Sequence, residues 1–264
     1  MANTLKKSCE VNGTRGLAIV EHTCWVLNPA DRFVSNTSIS MLQIQTIPVT
    51  GFQQNCRLLI DDASNESVLI DPGGEADYLH GLVAESGSTL QSIVLTHSHL
   101  DHCGGVAGLL NLNSGLAMLG HEIEAKMRAS ISQHAAVFGM SPDDFPNCPE
   151  PTEYIDDGYV MRVGSYEAVA LFTPGHSPGH LSFFFETADY SIDGSKGTGP
   201  VLIAGDALFN GSIGRTDLPG GNGPQLIESI KTRLLPLPDE TIVLCGHGPE
   251  TTIGNERASN PFLQ

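Results

Sequence analysis

Residues 96 to 102 read Thr96-His97-Ser98-His99-Leu100-Asp101-His102, directly after the apolar run 93–95. A strand that ends at this run would deliver three imidazoles and a carboxylate to one loop at the edge of a sheet. His97 and His99 are two residues apart, so in an extended chain they project the same way and can share one metal ion. Asp101 and His102 follow in the turn beyond and suit a second ion. Nitrogen and oxygen ligands at this density predict first-row divalent ions, Zn²⁺ above all, with Fe or Mn as alternatives.

Three further candidate ligands each follow a predicted strand and lie in a glycine-rich turn. They are His176 in Thr173-Pro174-Gly175-His176, Asp206 in Ala204-Gly205-Asp206, and His247 in Cys245-Gly246-His247-Gly248. Strands of one sheet can bring their ends together at one edge, and the glycines allow close approach of the backbones. Together with residues 96–102, these residues predict two metal sites.

The apolar pattern from Met41 onward predicts one domain of mixed strands and helices. Strands are predicted at 42–47, 55–60, 67–70, 90–95, 116–119, 159–163, 166–172, 181–186, 201–204 and 241–245, and helices at 75–85, 104–112 and 225–235. Residues 129–151 mix aromatic and polar side chains, which indicates a loop or loose helical insertion that could cover the site. Residues 191–200 are expected to form a flexible hairpin tip.

The composition argues against several classes of function. The chain of 264 residues has a formal net charge of −17, which disfavours nucleic-acid binding through a basic surface. No stretch of the sequence approaches the roughly 20 apolar residues that cross a bilayer. Six scattered cysteines without a C-x-x-C pair indicate reduced, mostly buried thiols, as in a cytoplasmic protein.

Residues 1–40 differ from the rest of the chain, because they hold four basic against three acidic residues and so a net charge of +1. We interpret 1–40 as an N-terminal extension and 41–264 as the catalytic domain. The extension is a disordered tail, an organelle-targeting peptide, or the product of a translation start that lies at Met41. These alternatives stay open, and cytoplasmic localisation is the expectation among them.

The motifs T-H-S-H-L-D-H, T-P-G-H-S-P-G-H, A-G-D and C-G-H-G-P, in this order, resemble those of the metallo-β-lactamase superfamily. The resemblance covers the chain from residue 41 to its end. It implies an α+β fold, the αββα sandwich, with the metals at one edge between the two sheets. It further implies a ligand set for this sequence, in which the first ion takes His97, His99 and His176, the second takes Asp101, His102 and His247, and Asp206 bridges.

Within the superfamily the chain is most similar to the short, single-domain bacterial type of glyoxalase II, hydroxyacylglutathione hydrolase. The supporting segments are Ile47-Pro48-Val49, Gln54-Asn55-Cys56, Asp71-Pro72-Gly73-Gly74, Gly214-Arg215-Thr216-Asp217 and Asn260-Pro261-Phe262-Leu263. This likeness implies a dinuclear metal-dependent hydrolase of S-acylglutathione thioesters, with S-lactoylglutathione as the first candidate. Larger glyoxalase II enzymes add a C-terminal helical domain with basic residues for glutathione. This chain ends before such a domain, so the identity of the thiol stays open.

Two other activities of the superfamily are alternatives, an Fe(II) persulfide dioxygenase and a lactone or ester hydrolase. In the thioester hydrolase, Asp101 and Asp206 would be the catalytic carboxylates that offset metal charge and orient the attacking hydroxide. Arg215 is the candidate for binding a substrate carboxylate, with a structural pair to Asp217 as the alternative. His180 is expected to orient His176 or a backbone turn. The expected partner is a small thioester, a glutathione conjugate among the candidates, and neither nucleic acid nor a membrane.

Overall fold

The structure is a computed structural model that describes residues 40–264. The strands are β1 Leu42–Val49, β2 Gln54–Asp61, β3 Glu66–Ile70, β4 Thr89–Val94, β5 Ala117–Gly120, β6 Glu153–Tyr154, β7 Val160–Val163, β8 Tyr166–Phe172, β9 Leu181–Ile192, β10 Ser195–Gly205, β11 Leu208–Phe209, β12 Ser212–Ile213, β13 Ile242–Cys245 and β14 Thr251–Thr252. The α-helices are α1 Ala76–Ser86, α2 Leu100–Cys103, α3 Val106–Leu112, α4 Ala125–Arg128, α5 Ile131–Val137, α6 Gly223–Ser229 and α7 Ile253–Ser259. A 3₁₀ helix spans Glu122–Glu124, and a π-helix spans Ile230–Leu234.

Hydrogen bonds join most strands in the order β14-β13-β10-β9-β1-β2-β3-β4-β5-β6, with β8 also paired to β9, and β7 to β8. The two halves of this sheet meet where β1 and β9 pair in parallel over three residues, Leu42 to Ile44 against Tyr190 to Ile192. The expected pair of sheets is therefore continuous along one edge.

Alternate side chains of the strands enter different hydrophobic clusters, as the two-residue period of a strand requires. Leu58 packs in a cluster with residues of α1 and α3, whereas its neighbour Leu59 packs in a central cluster with Phe183 of β9. In β10, Ile203 enters the same central cluster, while Leu202 packs with residues of α6 and α7. The layers are thus helix, strand, strand and helix, which confirms the predicted α+β fold with αββα layering.

The topology explains why the candidate ligands lie at one edge. Strands β3 and β4 are parallel, as are β10 and β13, so within each pair the carboxyl ends lie side by side. Residues 96–102 follow β4, Asp206 follows β10, and His247 follows β13. The candidate ligands that follow these three strands therefore lie at the carboxyl ends of the strands, as the sequence predicted.

Three expectations need correction or extension. Segment 191–200 forms a hairpin, as predicted, but the turn is short, because β9 and β10 pair through the segment and only Asp193 and Gly194 turn, both at positive φ. The Asp-Gly dipeptide is a strong hairpin signal that the composition of the segment obscured. Helix α7 was not predicted. The insertion 129–151 does contain a helix, α5.

The predictions about membrane-spanning segments and about the cysteines can be compared with the described residues. No helix within 40–264 is long and apolar enough to span a membrane. Cys56, Cys103, Cys148 and Cys245 are free and buried, as predicted for the thiols. The proposals for residues 1–39, and for Cys9 and Cys24 within them, lie outside the described residues.

Candidate metal centre

Three histidines from two loops converge on one point. His97 Nε2 lies 3.1 Å from His99 Nδ1, His99 Nδ1 lies 2.8 Å from His176 Nε2, and His176 Nε2 lies 3.1 Å from His97 Nε2. Burial lowers the pKa of all three imidazoles, that of His99 to about 3, so they are neutral near pH 7. Neutral imidazoles with converging lone pairs are the form that binds a metal ion.

Hydrogen bonds on the outer nitrogens of two of these rings leave their inner nitrogens as acceptors. The Thr96 hydroxyl donates to Asp71 Oδ2 at 2.6 Å, so it accepts from His97 Nδ1 at 3.0 Å. His176 Nδ1 donates to the Arg215 carbonyl oxygen at 2.8 Å. These contacts assign both protons to Nδ1 and point both Nε2 lone pairs at the shared centre.

A second donor set adjoins the first and consists of Asp101, His102 and His247. His247 Nε2 lies 3.1 Å from Asp101 Oδ2. His102 Nδ1 donates to Asp71 Oδ2 at 2.9 Å, which turns its Nε2 toward the centre. Burial lowers the pKa of His102, but Asp206 and Asp71 outweigh it and raise that pKa above its usual value. The negative field that favours a proton on this ring also favours a metal cation there.

Asp206 lies between the two sets. Its Oδ1 is 3.2 Å from His102 Nε2, and its Oδ2 is 3.6 Å from His176 Nε2 and 3.5 Å from His247 Nε2. Burial would raise the pKa of Asp206, yet the imidazoles of His102, His176 and His247 hold it well below the usual range. This carboxylate is ionised and touches both donor sets, which is the position of a bridging ligand.

Unpaired buried atoms show that the donors fit a metal ion better than they fit one another. Within residues 40–264, His102 Nε2 and Asp206 Oδ1 have no hydrogen-bond partner, although both are buried. They are 3.2 Å apart but misaligned for a hydrogen bond. Buried polar atoms without partners are costly, and a cation held between them removes that cost. The His and Asp donors therefore fit divalent metal ions.

His180 supports this site without facing it. The Asp206 amide donates to His180 Nε2 at 3.0 Å, so His180 Nδ1 carries the proton and contacts the Thr173 hydroxyl at 2.8 Å. Both ring nitrogens are thus occupied by the scaffold. The expectation that His180 holds a backbone turn is confirmed, and the turn is the one that carries Asp206.

Two buried carboxylates near the site were missed by the sequence interpretation as functional residues. Asp71 accepts a hydrogen bond from the Thr96 amide at 2.7 Å in addition to the contacts given above, so it orients His102 directly and His97 through Thr96. Glu124 accepts from the Ser98 amide at 2.9 Å and from the Gly179 amide at 2.6 Å. It therefore ties the loop of His97 and His99 to the loop of His176.

The signals for these two residues in the sequence were weak. Asp71 directly follows β3, as the ligands follow their strands, and the parallel pairing of β3 with β4 brings it to Thr96. Glu124 stands in a run with Glu122, and the sequence does not separate the buried carboxylate from the exposed one.

A buried guanidinium, Arg128, also donates to the Ser98 hydroxyl at 3.4 Å.

A cavity of about 900 Å³ opens above the two donor sets. Arg215 lies on its lining, but its guanidinium binds Asp217 through two hydrogen bonds of 2.7 and 2.8 Å. The structural pair that the sequence left open is therefore present in the structure, and its partners are largely exposed. Helix α5 and Phe138 of the insertion 129–151 also line the cavity, as expected of a segment that covers the site.

Comparisons with known proteins agree with this geometry. The family model described as "Metallo-beta-lactamase superfamily" matches residues 49–247. A protein of Haemophilus influenzae named hydroxyacylglutathione hydrolase GloC is 41% identical over 226 residues, covering 84% of this chain and 98% of the relative. The crystal structure of the B3 metallo-beta-lactamase BLEG-1 is similar, with a TM-score of 0.71, 34% identity and coverage of 83% of this chain and 99% of that one. The crystal structure of TTHA1623 in a di-iron-bound form has a TM-score of 0.69, 36% identity and coverage of 83% and 99%.

Proposed function

This chain belongs to the metallo-β-lactamase superfamily, and we propose that it is a dinuclear metal-dependent hydrolase of thioesters of the S-acylglutathione type. One observation carries the proposal: two donor sets meet at Asp206 on the floor of a cavity that can admit a small molecule. The printed name of the Haemophilus influenzae relative supports the same reaction class. We assign the activity to the domain 41–264.

The proposed ligands are those that the two donor sets supply. His97, His99 and His176 would hold the first ion, Asp101, His102 and His247 would hold the second, and Asp206 lies against both donor sets. Bound divalent ions supply Lewis acidity toward a carbonyl and a nucleophile from water at neutral pH. Zn²⁺ is the proposed metal because histidine and carboxylate ligands suit it. Iron is the first alternative, since the similar protein TTHA1623 was crystallised in a di-iron-bound form.

The residues of this chain orient the reaction. Asp101 and Asp206 offset the positive charge at the centre and hold the attacking water toward the acyl carbon. The water oxygen forms a bond to that carbon, the C–S bond breaks, and the departing thiolate takes up a proton. The products are a carboxylic acid and a thiol. Thiols ionise with a pKa of about 8.5, so the thiolate leaves without a strong general acid.

The direct test is hydrolysis of S-lactoylglutathione by metal-loaded protein. We expect turnover by the wild type and a loss of roughly 100-fold or more in kcat for Asp206→Asn, which removes a charge shared by both donor sets. Asp143→Asn, a matched change at an exposed position of the insertion, is the control and should leave turnover unchanged. Absence of thioester turnover by the metal-loaded wild type would refute the proposal.

Arg215 is proposed to bind a carboxylate of the substrate by releasing Asp217. In that case Arg215→Ala raises KM and leaves kcat and metal content unchanged. If the variant only lowers the free energy of unfolding, the guanidinium is a structural partner of Asp217 and nothing more.

Persulfide oxidation by a single Fe(II) is the rival reaction on this fold, and lactone or ester hydrolysis is another. The seven proposed ligands are all present, so ligand identity does not separate hydrolysis from oxidation. Oxygen uptake in the presence of a persulfide, measured on the same protein sample, does separate them.

A further inference from the structure

The cavity above the candidate metal centre has walls with an unusual surface. One wall comes from residues 123–138 and the other from residues 209–220, and Phe52 also lines the cavity. Large apolar side chains on this lining are exposed to solvent: Val137 by 81%, Ile123 by 54% and Phe138 by 52%. Phe52 and Phe138 touch edge to face with ring centroids 5.3 Å apart. A concentration of exposed apolar surface beside a reaction site is typical of a site that binds an apolar group.

The cavity lining has few acidic side chains, although the protein as a whole is strongly acidic. The chain has a net charge of −17, yet among residues 40–264 the carboxylates that line the cavity are Asp101 and Asp206 alone, both at its floor. Lys126 and Arg215 are the cationic side chains on the lining. Arg215 is paired with Asp217 and must release it before it can bind an anion, whereas within the described part of the chain Lys126 has no ion-pair partner. An anionic group of a bound molecule is therefore attracted to Lys126.

From these observations we infer that the cavity selects an amphipathic thioester, with a medium-length or long apolar acyl chain and an anionic group that binds Lys126. The inference rests on the proposed function and narrows its substrate class. The apolar chain contacts Ile123, Val137 and Phe138, and burial of the chain draws the thioester carbonyl to the floor. A short polar acyl group such as lactoyl leaves this wall in contact with water.

The first test varies the acyl chain on one thiol. Thioesters of N-acetylcysteine from acetyl to octanoyl should show kcat/KM that rises with length, by up to about fourfold for each methylene that becomes fully buried. A series that is flat or falls with length overturns the inference. Val137→Ser should reduce the slope, while Val160→Ser, a matched change at an exposed valine of β7 outside the cavity, should leave it unchanged.

The second test isolates the anionic group. Octanoyl thioesters of N-acetylcysteine and of N-acetylcysteamine differ chiefly in one carboxylate. Lys126→Gln should lower kcat/KM by roughly three- to fivefold for the first and leave the second unchanged. Lys231→Gln, at an exposed lysine on the π-helix, should change neither. If Lys126→Gln lowers kcat/KM equally for both substrates, Lys126 does not bind the carboxylate, and that part of the inference is refuted.

A binding measurement separates failure of the inference from failure of the proposed function. The S-octyl and S-methyl thioethers of N-acetylcysteine cannot be hydrolysed, and calorimetry gives their affinity for the metal-loaded protein. Tighter binding of the octyl compound without hydrolysis of any thioester supports the cavity and refutes the hydrolase. Hydrolysis with equal affinity for both thioethers supports the hydrolase and refutes the cavity inference.

Discussion

Glu124 is a single buried side chain that holds two separate loops, and it gives the clearest prediction at the scale of residues. Glu124→Gln keeps one acceptor oxygen but places an amide NH₂ against a backbone N–H, so one of the two loops is released. We expect metal affinity, measured by competition with a chelator, to fall roughly 10- to 100-fold.

The control for this change is Glu122→Gln, at an exposed position of the same 3₁₀ helix. It should leave metal affinity unchanged. If Glu124→Gln lowers the melting temperature but binds metal as the wild type does, Glu124 stabilises the fold without positioning the histidines.

The sequence predicted residues of the site well where ligands follow strand ends and poorly where partners depend on packing. The structure brings the seven predicted ligands together, and their role in binding metal stays a prediction. Asp71 and Glu124 were missed because their partners are backbone amides and ring nitrogens distant in sequence. The hydrogen bonds between Arg215 and Asp217 were foreseen as an alternative, since the two residues are close in the chain.

At the scale of elements, two glycines of neighbouring segments should respond oppositely to the same substitution. A Cβ on Gly73 would lie 1.5 Å from the Asp101 carbonyl oxygen, so Gly73→Ala must displace the turn after β3 or the loop of Asp101. We expect it to lower the free energy of unfolding by about 3 kcal/mol or more. Gly81→Ala, in the middle of α1 with no described atom within 4 Å of its Cβ, should raise it by about 0.5–1 kcal/mol. Urea denaturation measures both, and a mild effect at Gly73 would show that the close approach is not required.

Asp61 links the end of β2 to the turn between β7 and β8. It accepts hydrogen bonds from Ser40 Oγ at 2.7 Å, the Ser165 amide at 2.9 Å and the Ala63 amide at 3.0 Å. Burial raises the pKa of Asp61, but these donors outweigh it and lower the pKa from 3.8 to about 2. A depressed folded-state pKa contributes stability that is present above about pH 4 and is lost as the pH falls toward 2.

Asp61→Asn should therefore lower the free energy of unfolding by about 1–3 kcal/mol at pH 7. The difference from the wild type should shrink between pH 4 and pH 2. Urea denaturation at several pH values measures this, with Asp144→Asn at an exposed position as the control. A difference that stays constant down to pH 2 would contradict the role of the ionised carboxylate.

Elements with regular periodicity were predicted closely, and those set by turns or capping were not. In β8, buried and exposed side chains alternate, and in β2 consecutive side chains enter different hydrophobic clusters. The period of apolar residues in the sequence therefore predicts which side chains of such strands are buried. Helix α7 is short and depends on a cap, in which Thr252 accepts from the Asn255 amide. Ile253 is its one large apolar side chain, so the segment has no periodic signal, and the helix is defined by this cap together with the packing of Ile253.

For the whole molecule, the donor sets join loops from both halves of the sandwich, so metal binding should stabilise the entire domain. Metal at 100 times its Kd adds about 2.7 kcal/mol to the free energy of unfolding. For a domain of this size the melting temperature should then fall by roughly 5–10 °C when a chelator removes the metal. Calorimetry before and after chelation, and again after metal is restored, checks this. If the melting temperature is the same before chelation, after chelation and after metal is restored, metal binding does not stabilise the domain through the two halves.

The central claim is that one site binds two metal ions and hydrolyses thioesters. The most direct measurement is the metal content of protein purified without added metal, combined with S-lactoylglutathione hydrolysis and persulfide-dependent oxygen uptake on the same sample. The account predicts close to two metal ions per chain, thioester turnover and no oxygen uptake. One iron per chain, with oxygen uptake and little hydrolysis, would contradict it and identify a dioxygenase instead.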